Sequence, residues 1–130
     1  MARYKEMPME TIVDMLKVSE ADFKRHKDHP NVNYLRNAAN KLIAIAENLT
    51  ENRIGRKLYG YGDFETNFKR HFKDSELFSK LDKLHVFFYT GLLQDQSFSE
   101  IEFTYGTAKK RLRNLIIKVE KEKVRQKVRA

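Results

Sequence analysis

The chain has 130 residues, 41% of them hydrophobic and 34% charged, with a formal net charge of +8 and no cysteine. That length makes one domain, 1–130, able to bury about two-thirds of its unfolded surface, and the composition excludes a disordered chain. Without cysteine, disulfides, cysteine-ligated zinc, iron–sulfur clusters and thiol catalysis are excluded, and a reducing, cytoplasmic setting fits.

In chain order, Ile12, Leu16, Ser19 and Phe23 step by four, three and four, the spacing of one helix face. A first helix is predicted over 8–27, opened by Pro8 and closed at His29-Pro30, because the residue before proline avoids the helical region. Val32, Leu35, Ala38 or Ala39, Leu42, Ile45 and Leu49 predict a second helix over 31–51, with alanines that admit a close neighbour. Three glycines in 52–62 mark a loop. Phe64, Phe68 and Phe72 predict a short extra helix over 63–72, with Asp63 as its N-cap.

Leu77, Leu81, Leu84 and Phe88 predict a third long helix from Asp74-Ser75 to Gly91, a residue suited to end it. A short link over 92–96 makes the next helix return antiparallel. Ser97-Phe98-Ser99-Glu100 has the form of a capping box. Ile101, Tyr105, Ala108, Leu112, Leu115 and Val119 then predict a fourth long helix over 98–124, beyond which the end frays. Gly106 inside it marks close packing or a kink. The expected fold is all-α: an antiparallel up-and-down four-helix bundle with a core over 8–124 and a short extra helix before the third long one.

The longest apolar run, over 84–93, is interrupted by His85, Thr90 and Gly91, short of the about 20 apolar residues of a membrane span. Met1-Ala2-Arg3-Tyr4-Lys5-Glu6 has no apolar segment of a signal peptide, so no membrane partner is expected. Ten Lys/Arg and two Glu fall within 109–130, so the basic end carries the whole net charge. One-ended positive charge points to an anionic partner or a solvated helix end. Phe and Tyr crowd positions 59–89; not all of these rings fit one core, so some reach a second chain or a ligand.

The order of helix, Ala-rich helix (Tyr34-Leu35-Arg36-Asn37-Ala38-Ala39-Asn40-Lys41-Leu42), a Phe-x3-Phe segment over 64–72, a Leu-x2-Leu-His-x2-Phe-Tyr-x-Gly segment over 81–91 and a capped helix resembles a known family. It is similar to HEPN domains and to the helical substrate-binding subunits of minimal nucleotidyltransferases, over roughly 10–124. Catalytic HEPN ribonucleases carry an Arg, four to six residues, then a His, and no histidine here has an arginine at that spacing. Laid on that segment, His85 stands in the arginine's place, Thr90 in the histidine's and Val86 in that of a polar Asn. Lys80 precedes His85 by the right interval but lacks arginine's planar fork. RNA cleavage needs a group titrating near neutrality and a fixed cation; Thr90 supplies neither. The resemblance implies the fold and a helper role: a homodimer that binds nucleotide or RNA, or docks a nucleotidyltransferase-type partner, with His85, Tyr89, Thr90, Arg36 and the basic loop of Arg53, Arg56, Lys57, Tyr59 and Tyr61 as the binding residues expected here. A divergent ribonuclease using His85, with Lys80, Arg36 or Arg70 for charge, is the enzymatic alternative. A nonspecific nucleic-acid binder acting through the basic end is another.

Other constellations are weaker. His26 and His29 with Asp22 and Asp28, and His71 with Asp74, have metal-like spacing but no distant third ligand, so neither metal nor cofactor is expected. The loop combining Arg53, Arg56, Lys57, Tyr59 and Tyr61 with glycines has the charge and ring faces that single-stranded nucleic acid needs. Asn33, Asn37 and Asn40 join Arg36 in a polar strip on the second helix, best read as solvated.

Overall fold

Among the described residues of a computed structural model, five helices follow these spacings: α1 (Met9–Asp28), α2 (Val32–Ile54), α3 (Tyr61–Phe72), α4 (Ser75–Thr90) and α5 (Phe98–Arg129). The structure describes residues 4–93 and 95–129. Met1, Ala2, Arg3, Gln94 and Ala130 lie outside the described residues, and with them the start of the N-terminal stretch, part of the 92–96 link and the last residue of the basic end. The chain is all-α, and among the described residues no helix is long and apolar enough to cross a membrane.

Local chemistry sets most boundaries. The Asn31 side chain accepts the Asn33 N–H at 2.8 Å, and Gly55 ends α2 at φ 75°. Asp74 accepts the Leu77 N–H at 2.9 Å to start α4, and Gly91 ends it at φ 72°. Ser97 accepts the Glu100 N–H at 3.3 Å, half of the expected capping box.

Three boundaries differ from expectation. α3 starts at Tyr61 after Gly60, so Asp63 is not its N-cap but sits in its first turn. There it accepts the Tyr59 N–H at 2.9 Å and both Arg56 guanidinium nitrogens at 2.7 and 3.0 Å. α2 runs on to Ile54 and α5 to Arg129. An ion pair ties the end of α2, where Arg53 meets Glu122 at 2.7 Å, and Lys123 of α5 meets Glu6; beyond them 124–128 are exposed.

α2 is the central helix and touches each of the other four. Its Leu35, Ala38, Ala39, Leu42, Ile45 and Ala46 are wholly buried. The alanines let α1 approach, and Ser19 of α1 hydrogen-bonds the Ala38 carbonyl at 2.8 Å. α1 and α2 run antiparallel, since Asn52 near the end of α2 binds the backbone of Met7 before α1 begins. α5 runs back along α1, bringing Lys123 to Glu6, Arg113 to Glu20 and Glu102 to His26.

α3 absorbs most of the aromatic surplus. Phe64 and Phe68 are fully buried with Phe78 and Phe87 of α4, whereas Tyr59 and Tyr89 remain exposed. Tyr105 is fully buried, bonds Ser19 at 2.8 Å and stacks on Phe23 at 4.4 Å. Burial pushes its hydroxyl up to about 12 from an ordinary 10.0. The folded state thus keeps a proton that the unfolded chain loses first, so stability falls as pH rises between these values. Alkaline melts of wild type and Tyr105→Phe check this: the loss over that interval is expected to be smaller in the variant.

Gly106 does not mark close packing. A Cβ built there meets no atom within 4 Å. Gly106→Ala is therefore expected to stabilise by about 0.5–1 kcal/mol, read as a raised urea midpoint.

Candidate functional site

The α2–α4 face, closed on one side by the 55–60 loop and α3, holds a groove of about 330 Å³. Ala44, Glu47, Asn48 and Glu51 of α2 line one wall, and His85 and Tyr89 of α4 the other; Leu58, Gly60 and Tyr61 close it. Positions 44, 47, 48 and 51 share a helix face by their spacing. His85 and Tyr89 lie one turn apart on α4.

Tyr61 organises the site. Its ring stacks on His85 at 4.1 Å and 20°, and its hydroxyl donates to Asp82 Oδ1 at 2.6 Å. Burial and that carboxylate push the hydroxyl well above the ordinary tyrosine range. Tyr89 meets His85 edge-on at 4.9 Å and is 68% exposed, leaving ring surface open.

The α2 wall is acidic. Glu51 is nearly buried, accepts the Leu58 N–H at 2.9 Å and lies 3.5 Å from Lys57 Nζ. Glu47 is half-buried, and burial together with Glu51 holds its carboxyl above the usual range. Glu47→Gln removes a like-charge pair one turn apart and is expected to stabilise the fold by about 0.2–0.5 kcal/mol in thermal melts.

The residues singled out in the sequence divide into three groups. Tyr61, His85 and Tyr89 meet in the groove. The cations are paired: Arg56 with Asp63 and Lys57 with Glu51 on the loop beside the groove, whereas Arg53, in the last turn of α2, faces a separate depression against α5, paired with Glu122 and lying over the Phe72 ring at 4.9 Å. The bond to Arg56 and the Tyr59 amide hold the Asp63 carboxyl down to about 2. Tyr59 is 84% exposed, with Arg56 lying 4.4 Å from its ring centre.

The third group serves the fold. Arg36 Nε and Nη2 donate to the Phe88 carbonyl at 2.8 and 2.5 Å, capping the negative end of α4. Thr90 Oγ donates back to the Val86 carbonyl at 2.7 Å. Lys80 lines a separate depression with Lys83, Gln96 and Glu100, and Arg70 is exposed on α3.

The metal-like clusters also resolve into structural pairs. His26 is buried: its Nδ1 lies 3.1 Å from both the N–H and the carbonyl oxygen of Asn31, and its Nε2–H donates to the Glu102 carboxylate, an acceptor, at 2.8 Å. Asp22 binds Lys41 at 2.8 Å. Asp74 caps α4 and meets Arg111, while His71 is exposed. Among the described residues no group of three His, Cys, Asp or Glu is arranged to hold a metal. A larger depression along α5, lined by Phe103, Gly106, Lys110 and Arg111, is occupied at its charged end by the Arg111 pairs to Asp74 and Glu76.

Sequence reasoning missed Glu47, Asn48 and Glu51. Their signal was two acids one helical turn apart beside the small Ala44. Comparison with protein-family models, with characterised proteins and with solved structures finds no match for the chain.

Proposed function

We propose that the protein is a non-catalytic, HEPN-like module, an up-and-down bundle of α1, α2, α4 and α5, that binds single-stranded RNA or a nucleotide at the Tyr61–His85 groove in the cytoplasm. The observation carrying this reading is the exposed ring of Tyr89 in the groove, with a second exposed ring, Tyr59, on the loop that closes it. Tyr59 lies between the groove residues Leu58 and Gly60, and Lys57 and Arg56 stand beside it. Exposed rings give bases a stacking surface, and adjoining cations follow the phosphates.

The chemistry next to His85 favours holding over cleaving. Its neighbours across the groove are carboxylates, which repel a phosphate, and Arg36 is committed to the Phe88 carbonyl.

Fluorescence anisotropy with a short labelled single-stranded RNA tests this. Tyr59→Ala and Tyr89→Ala are each expected to weaken binding by about 1–3 kcal/mol. Undiminished binding in both variants, with loss only on truncation after Val119 and a steep salt dependence, would instead assign binding to the basic end of α5. Exposed Lys118, Lys121, Arg125 and Lys127 are its candidates.

A specific surface favours a second element of the proposal. Val86, Leu92, Leu93 and Phe103 leave apolar area exposed at the end of α4 and the start of α5, Phe103 at 71%. These exposed apolar side chains support pairing of two copies, or docking of a nucleotidyltransferase-type partner. Light scattering at micromolar concentration is expected to give a dimer mass that Phe103→Glu halves; a monomeric wild type would remove the homodimer.

A further inference from the structure

We infer that the groove recognises guanine, through the Glu47 carboxylate and the Asn48 amide. The inference rests on the nucleotide-binding reading and names the base it accepts.

The groove combines aromatic surface with acceptor chemistry. Tyr89 offers an open ring face, and Tyr61 fixes His85 by stacking on it. On the opposite wall Glu47 lines the groove half-buried beside Glu51, and among the described residues its carboxylate has neither a hydrogen-bond donor nor an ion-pair partner. Glu51 is already engaged by the Leu58 N–H and Lys57, and Asp82 by the Tyr61 hydroxyl. Glu47 is thus the acceptor left for a ligand.

A carboxylate presents two oxygens side by side and takes two adjacent donors. Guanine alone among the four RNA bases has two adjacent donor groups on its pairing edge, N1–H and the N2 amine. Adenine and cytosine set one amine beside an acceptor nitrogen, and uracil sets one N–H between two carbonyls. Guanine's O6, beside N1, needs a donor in turn. Asn48 follows Glu47 on the same wall, and its amide spends one N–H on the Ala44 carbonyl at 2.8 Å, leaving the second. Lys57 stays 3.5 Å from Glu51, and its side chain, 76% exposed, adds positive charge on the loop that closes the groove.

The test is calorimetric titration of the full chain with guanosine, inosine, adenosine, cytidine and uridine 5′-monophosphates, beside the single-stranded RNA. Inosine keeps N1–H and lacks the N2 amine, so it is the discriminating probe. Guanosine monophosphate is expected to bind about tenfold tighter than inosine monophosphate, the worth of one good base contact. Glu47→Gln is expected to abolish that difference, with an unchanged helical circular dichroism spectrum. Equal binding of all five would overturn the guanine inference and leave the nucleotide-binding reading intact. So would RNA binding without preference for guanine-containing strands. Failure of every monophosphate and of the RNA would overturn both.

Discussion

Phe68→Ala is expected to lower the unfolding free energy by about 3–5 kcal/mol, a large part of a single domain's usual stability. Phe68 is fully buried and joins three rings: Phe64 at 5.6 Å, Phe72 at 5.3 Å and Phe78 at 6.2 Å. Truncation leaves a void between α3 and α4 that neighbouring rings fill only in part. Because α3 carries Tyr61, the same change is expected to loosen the Tyr61–His85 stack and weaken RNA binding. Urea denaturation with an unchanged m-value checks the first effect, and anisotropy the second. A loss under 1 kcal/mol would mean that α3 is not built into the core as its burial indicates.

Glu102→Ala is expected to cost about 1–3 kcal/mol, because it leaves the buried Nε2–H of His26 without an acceptor. Glu102→Gln keeps an acceptor oxygen and is expected to cost much less. The contrast separates loss of the hydrogen bond from loss of the charge. If both variants lose equally, Lys27, 3.3 Å from the same carboxylate, carries more of the effect than His26. Thermal and urea melts of the two variants decide this.

The order of the helices and most of their ends were legible in the sequence because they depend on neighbours within one turn. Asp74, Ser97 and Gly91 act where spacing placed them. Asp63 was misassigned as a cap because its real partner, Arg56, lies across a turn whose path depends on α3 docking. α5 also runs past Val124, where the exposed residues 125–128 show no apolar stripe for spacing to follow. The basic loop was visible as composition, but not that its cations are paired. Arg36 looked like a free charge until α4 brought the Phe88 carbonyl to it. At the groove, His85, Tyr61 and Tyr89 were picked out as separate residues. Glu47 and Asn48 were not, since only the packing of α2 on α4 puts them opposite those rings.

The central claim, that the groove rather than the basic helix holds the ligand, is tested most directly by mapping amide chemical shifts on adding a short guanine-containing single-stranded RNA. The expected result is that the largest shifts fall at residues 47, 48, 58–61, 85 and 89, with the RNA recovered intact. Shifts confined to 118–129, with the groove amides unmoved, would contradict it.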